Sequence, residues 1–170
     1  MTFVFYLSGA VAIVATAIAV TRLNAVHALL YLILSLLGIA VAFYTLGAPF
    51  VAALEVIVYA GAIIVLFLFV VMMLNLGPGR SRSALLWAPG GWIGPAILAA
   101  ILLVELVLVL GAAPGAPMAV KEVSPKEVSK AMYGPYLLGV ELASMLLLTG
   151  MVGAYHLGRR DRREIEREEQ

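Results

Sequence analysis

Five uninterrupted apolar stretches limit what this chain can fold into: Phe3–Thr21, Ala25–Leu46, Val51–Asn75, Trp92–Gly111 and Pro135–Leu157. A helix needs about 20 predominantly apolar residues to cross a bilayer, because the hydrocarbon core is about 30 Å thick and each residue rises about 1.5 Å. All five stretches meet that length. They are continuous instead of alternating with period two, which selects helices over a transmembrane barrel. The expected fold class is an all-α integral membrane protein with five transmembrane helices. Composition agrees, with 64% of residues hydrophobic, 12% charged and a mean hydropathy of +1.07. A soluble domain holds about 45–50% apolar and 25% charged residues. A soluble single-domain enzyme is excluded.

The breaks between spans carry suitable punctuation: Arg22-Leu23-Asn24, Gly47-Ala48-Pro49, Gly77-Pro78-Gly79, and Gly134-Pro135 with its proline at the start of the fifth span. Residues 1–158 read as one five-helix membrane domain and 159–170 as a charged cytoplasmic tail. The first span is expected to be retained, since it lacks a basic leader and is too long for a signal peptide's apolar core. Arg22, Arg80, Arg82, Arg159, Arg160, Arg162, Arg163 and Arg167 fall on one side, and Lys121, Lys126 and Lys130 on the other. The positive-inside rule then places the N-terminus outside and the C-terminus in the cytoplasm. The outer connection, about Ala112–Tyr133, contains Pro114, Gly115 and Pro117. In it, Ser124-Pro125-Lys126-Glu127 reads as a capping box opening a short amphipathic surface helix. In the tail, Arg160/Glu164 and Arg162/Glu166 are spaced for i,i+4 pairing. That segment reads as a solvated continuation of the fifth helix or as a docking element for a cytoplasmic partner.

Several chemistries are absent. The chain has no cysteine, so it offers no disulfide, thiolate metal site or iron–sulfur ligand. A net charge of +1 provides no basic field for nucleic acid. No Gly-x-Gly-x-x-Gly, phosphate loop or nucleophile elbow occurs, leaving no place for a nicotinamide, flavin or nucleotide.

Glu55, Glu105 and Glu141 lie within the apolar spans, where an ionisable group is costly and is a functional suspect. All three fall in the outer half of the membrane under the assigned topology. Each has two readings: a carboxyl that takes up and releases a proton, or a protonated acid that hydrogen-bonds across a helix interface. His27 and His156 lie near the headgroups at span ends and read as interfacial residues.

The third span is the anomaly. As Val51–Asn75 it would reach roughly 37 Å as straight α-helix, overshooting the bilayer. Its middle, Tyr59-Ala60-Gly61-Ala62, is small, and a bulky run from Ile63 to Met73 follows. Such a patch lets a neighbouring backbone approach closely, or marks where a helix bends or holds a π-bulge.

The stretch from Glu55 to Asn75 resembles the third helix of the J-subunit family of bacterial proton-pumping NADH:quinone oxidoreductase (respiratory complex I). That family's mitochondrial counterpart is subunit 6. The likeness extends through Asn24–Ile33, Trp92–Ile97, Gly134-Pro135-Tyr136 and Glu141–Leu148, and so covers almost the whole chain outside the loops and tail. It implies a translocase subunit in the bacterial inner (plasma) membrane that holds no cofactor itself. FMN, iron–sulfur clusters and quinone would reside elsewhere in the complex. Its partners would be membrane lipid and other complex I subunits, especially the small K and A subunits and the large H subunit. The family's third helix acts as a switch between π-bulged and regular α-helical forms, opening or closing a hydrated path for protons. Carried over, the switch falls on Tyr59, Gly61, Val65 and Phe67, with Glu55 in the same stretch. A scaffold subunit without a moving part is the alternative. A stand-alone transporter is disfavoured because five spans form no even inverted repeat.

Overall fold

The computed structural model describes residues 2–74, 89–111 and 122–158. Outside them lie the Gly77-Pro78-Gly79 break, Arg80, Arg82, Pro114, Gly115, Pro117, Lys121 and the tail 159–170. The described elements are α1 (Thr2–Thr21), α2 (Ala25–Thr45), α3 (Pro49–Met73), α4 (Pro89–Gly111), α5 (Pro125–Met132) and α6 (Leu137–Gly158). All but α5 are long and apolar enough to cross a membrane, and no strand occurs among the described residues.

Helix starts follow local chemistry. The Asn24 Oδ1 accepts the backbone N–H groups of Val26 at 3.0 Å and His27 at 3.4 Å, capping α2. Gly47 adopts a φ of 82° just past the end of α2, a conformation natural to glycine. Helix α3 then begins at Pro49, two residues before the expected Val51, because proline suits the first helical turn. The last span begins at Leu137 instead of Pro135. Tyr133–Tyr136 form a turn in which Tyr136 N–H donates to the Ala131 carbonyl at 3.2 Å.

The chain divides into two compact units, Met1–Ser124 and Pro125–Gln170. The second unit holds the short amphipathic α5 and the long α6. In the first, α1 and α2 form the tightest pair. Small residues make the seam, with Ser8, Ala12, Ala15 and Ala19 buried on α1 and Ser35 and Gly38 on α2. A Cβ at position 38 would lie 3.0 Å from the Ser8 carbonyl oxygen and 3.3 Å from the Ala12 Cβ. Close backbone approach of this kind replaces the hydrophobic drive that is lost in lipid. Val11, Ala15, Leu34 and Leu102 then close a core shared by α1, α2 and α4.

A polar knot crosses the α1–α2 seam. The Thr16 and Ser35 hydroxyls are 2.7 Å apart, and each also reaches the Ala12 carbonyl, at 2.9 and 3.0 Å. Two protons thus serve three contacts. Ser35→Ala should cost only about 0.6–1.7 kcal/mol, since Thr16 keeps its bond to Ala12. Reversible unfolding in mixed micelles reads this, and a loss above about 3 kcal/mol would give the knot a larger part in the fold.

Contacts at both ends of the first unit fix its up-and-down course. At one end the Arg22 guanidinium donates to the Tyr31 hydroxyl at 3.5 Å and lies 5.2 Å from the ring centroid. The His27 and Trp92 rings meet there at 5.9 Å, bringing in the start of α4. At the other end Val123 N–H donates to the Gly47 carbonyl at 2.8 Å. The α2–α3 turn and the segment following α4 therefore share that end.

Candidate functional site

Helix α3 is regular only in parts. Pro49–Leu54 is α-helical, Glu55–Ile63 is a nine-residue π-helix, and Ile64–Met73 returns to α-helix. At the second junction the Ile64 N–H donates to the Tyr59 carbonyl, five residues back. Runs of π-helix are rare and gather at functional positions.

The local sequence suits this widened coil. Position 61 has no Cβ, and one placed there would sit 3.1 Å from the Val56 carbonyl oxygen, tighter than ordinary contact. Glycine leaves that carbonyl undisturbed. Ala60 is buried on one side and Ala62 is exposed on another, so small side chains surround the wide turns. A π turn also takes up more residues than an α turn, which shortens a 25-residue span that would otherwise overshoot the bilayer.

Within the first unit the packing of α3 is one-sided. It buries Ala52, Ala60 and Ile64, and its neighbour on that side is α2. Tyr59 (51% exposed), Val65 (56%) and Phe67 (54%) face away from the chain's own core, and Gly61 is exposed with them. Two of the three buried side chains are methyl groups. They interlock little with α2 and resist rotation weakly. Moving the Ile64 N–H from the Tyr59 carbonyl to that of Ala60 would restore α geometry at the junction. One backbone bond replaces another, and the downstream segment turns by about 100°, one residue's step at 3.6 residues per turn.

Within the first unit, Glu55 and Glu105 do not line one groove. Glu55 opens the π-helix and is half-buried. Glu105, on α4, is 2% exposed, and among the described residues neither carboxylate oxygen has a hydrogen-bond partner. It lines a groove walled by α1 and α4, whereas Val56 and Leu106, the chain neighbours of Glu55 and Glu105, line a second groove among α2, α3 and α4. Glu141 lies on α6 in the second unit and is exposed there.

A family model described as NADH-ubiquinone/plastoquinone oxidoreductase chain 6 matches residues 15–157. The chain belongs to that family. Among similar proteins, the "NADH-quinone oxidoreductase subunit J" of Pseudomonas aeruginosa is 57% identical over 166 residues, covering 96% of this chain and all of the relative. Its namesake in Escherichia coli K12 is 53% identical over 163 residues, covering 95% and 89%. A more distant namesake, from Buchnera aphidicola of Schizaphis graminum, is 44% identical over 160 residues, covering 94% and 98%.

In this chain-6 family member, some of the site was not visible beforehand. Glu105 reads in sequence as one carboxyl in a plain Leu/Val helix, and its complete burial depends on where α1 lies. Tyr31 gave no signal either. Its hydroxyl occupies the space a Cβ would need at Gly94, so the glycine of Trp92-Ile93-Gly94-Pro95 was the available clue. His27 stands in the first turn of α2, its ring 5.9 Å from that of Trp92.

Proposed function

We propose that this chain is the J subunit of a proton-translocating NADH:quinone oxidoreductase and that α3 is its moving part. The observation that carries the reading is the π-helix Glu55–Ile63, bearing Tyr59 and Gly61 and followed by outward-facing Val65 and Phe67. In the proposed mechanism a quinone-site event in the complex biases α3 between π and α registers. The change turns Val65 and Phe67 toward or away from a water path lined by Tyr59. A gap of only a few kcal/mol allows such a bias, and the near-equal count of backbone bonds in the two registers supports a gap of that size.

The chain supplies gating, not redox chemistry. Iron–sulfur clusters need thiolates it lacks, and FMN and quinone are assigned with them to other subunits. Among its partners the small K and A subunits and the large H subunit are the proposed neighbours. The proposed setting is the bacterial inner membrane, N-terminus outside, with Arg22 on the cytoplasmic side. Residues 1–158 are taken as one membrane domain. Glu55, Glu141 and Glu105 are the protonatable groups this reading offers.

Tagging the chain and extracting it in mild detergent tests the assignment: NADH:quinone activity should co-purify in a large assembly. A stable chain emerging alone would defeat it. Glu55→Gln should lower the pumping ratio modestly, about two-fold at most, in proteoliposomes. A wild-type ratio would leave Glu55 as interhelical glue.

A further inference from the structure

Arg22 follows α1 directly and is exposed, yet its guanidinium is held in place. It folds back to donate to the Tyr31 hydroxyl at 3.5 Å and lies 5.2 Å from that ring's centroid. Tyr31 is itself 2% exposed, and its hydroxyl fills the space beside Gly94. Helix α4 thus fixes the tyrosine, and the tyrosine fixes the arginine. Side chains on a helix lean toward its N-terminus, which carries that hydroxyl up α2 toward the span ends. A guanidinium has five donors in a planar fork. Tyr31 takes one, and among the described residues no carboxylate meets the others.

The surroundings are those of a bilayer boundary. Leu23, in the link between α1 and α2, is 90% exposed, and Val20 on the last turn of α1 is 82% exposed. Trp92, half exposed near the start of α4, stands 5.9 Å from the His27 ring. A half-exposed tryptophan at a span end belongs to the headgroup layer. A fixed cation with spare paired donors, bordered by apolar and indole surface, matches a phosphodiester that continues into acyl chains.

We propose that Arg22 binds the phosphate of an anionic phospholipid at this end of the bundle, with Tyr31 setting the guanidinium and Trp92 bordering the headgroup. Guanidinium and phosphate oxygens form paired, charge-assisted hydrogen bonds. An anionic headgroup is favoured over a zwitterionic one because it has no ammonium of its own to compete for the phosphate. The apolar side chains beside the arginine favour a phosphodiester over free phosphate. A partner's carboxylate is less favoured, because every span end already meets headgroups. The site needs a bilayer around the spans and does not depend on motion in α3.

A photo-crosslinking residue at Leu23 tests this in the purified assembly that contains the chain, reconstituted in nanodiscs of equal phosphatidylglycerol and phosphatidylcholine. With Arg22 in place, adducts at that position should favour phosphatidylglycerol by about three-fold or more. Arg22→Gln should bring the two yields within about 1.5-fold of each other without lowering the phosphatidylcholine adduct. Arg22→Lys, which keeps the charge without the fork, should fall between them. The first ratio needs no change at Arg22, so it decides the matter even if Arg22→Gln assembles poorly. Equal yields of the two lipids with Arg22 in place, or a preference indifferent to Arg22→Gln, would overturn the site. Displacement of the lipid adduct by inorganic phosphate would also overturn it, marking a free-anion site. Crosslinks to polypeptide alone would do the same, marking a protein carboxylate as the occupant.

Discussion

Gly61→Leu is expected to cut quinone-coupled NADH oxidation and its proton pumping about tenfold, while NADH oxidation by the detached hydrophilic arm with an artificial acceptor stays at the wild-type rate. Tenfold corresponds to about 1.4 kcal/mol, within reach of one crowded backbone contact. The argument begins with the 3.1 Å separation between a Cβ at position 61 and the Val56 carbonyl oxygen. A leucine must push that carbonyl away or rotate the helix, and either response ties α3 to one register. Leucine also gains about 1 kcal/mol of helix propensity over glycine, which favours the regular α form. Gly61→Ala should show the same direction with a smaller loss. Position 61 is exposed within the chain, so the fold should survive, and assembly measured by native gel should be normal. Undiminished quinone-coupled turnover in Gly61→Leu would sink the gating mechanism.

The second large effect is expected at Gly38. Gly38→Leu should deplete the assembled complex from the membrane to less than about a tenth of its normal level, with activity lost in proportion. Here the obstacle is rigid on both sides: the Ser8 carbonyl at 3.0 Å is helix backbone and the Ala12 methyl at 3.3 Å cannot rotate away. Overpacking typically costs 1–3 kcal/mol, and this contact lies in the seam that brings α1 and α2 together. The two glycine variants should therefore separate cleanly. One yields an assembled but poorly coupled complex, the other little complex of normal specific activity. Near-normal abundance of Gly38→Leu complex would show that the α1–α2 seam is more pliable than its geometry implies.

The spans were legible because twenty apolar residues in succession admit one reading, and the observed helices start within three residues of it. The shifts arise from prolines: Pro49 enters its helix and Pro135 remains in a turn. The third span's excess length and its Tyr59-Ala60-Gly61-Ala62 patch pointed to an irregular helix. They could not show that π geometry extends over nine residues from Glu55, since that depends on a run of backbone bonds and not on side-chain pattern. The pairing of helices was not legible either. Nearly every face of these helices is apolar, so periodicity does not say which side meets a neighbour. Only small residues such as Ala12, Ala15, Ser35 and Gly38 mark such a side, and only once two helices are superposed. Glu105 had the same difficulty. Its position in a span was plain, but burial beneath α1 is a fact of packing.

The nine-residue π segment also makes α3 a gauge of bilayer thickness. With more residues in each turn, the same chain from Pro49 to Met73 reaches less far across the membrane in the π form than in the α form. Hydrophobic mismatch costs a fraction of a kcal/mol per ångström, comparable to a register gap of a few kcal/mol. Thin bilayers thus favour the wide coil and thick ones the regular helix. Under the proposed gating, acyl-chain length in the surrounding lipid becomes a lever on coupling efficiency, acting without contact at any side chain.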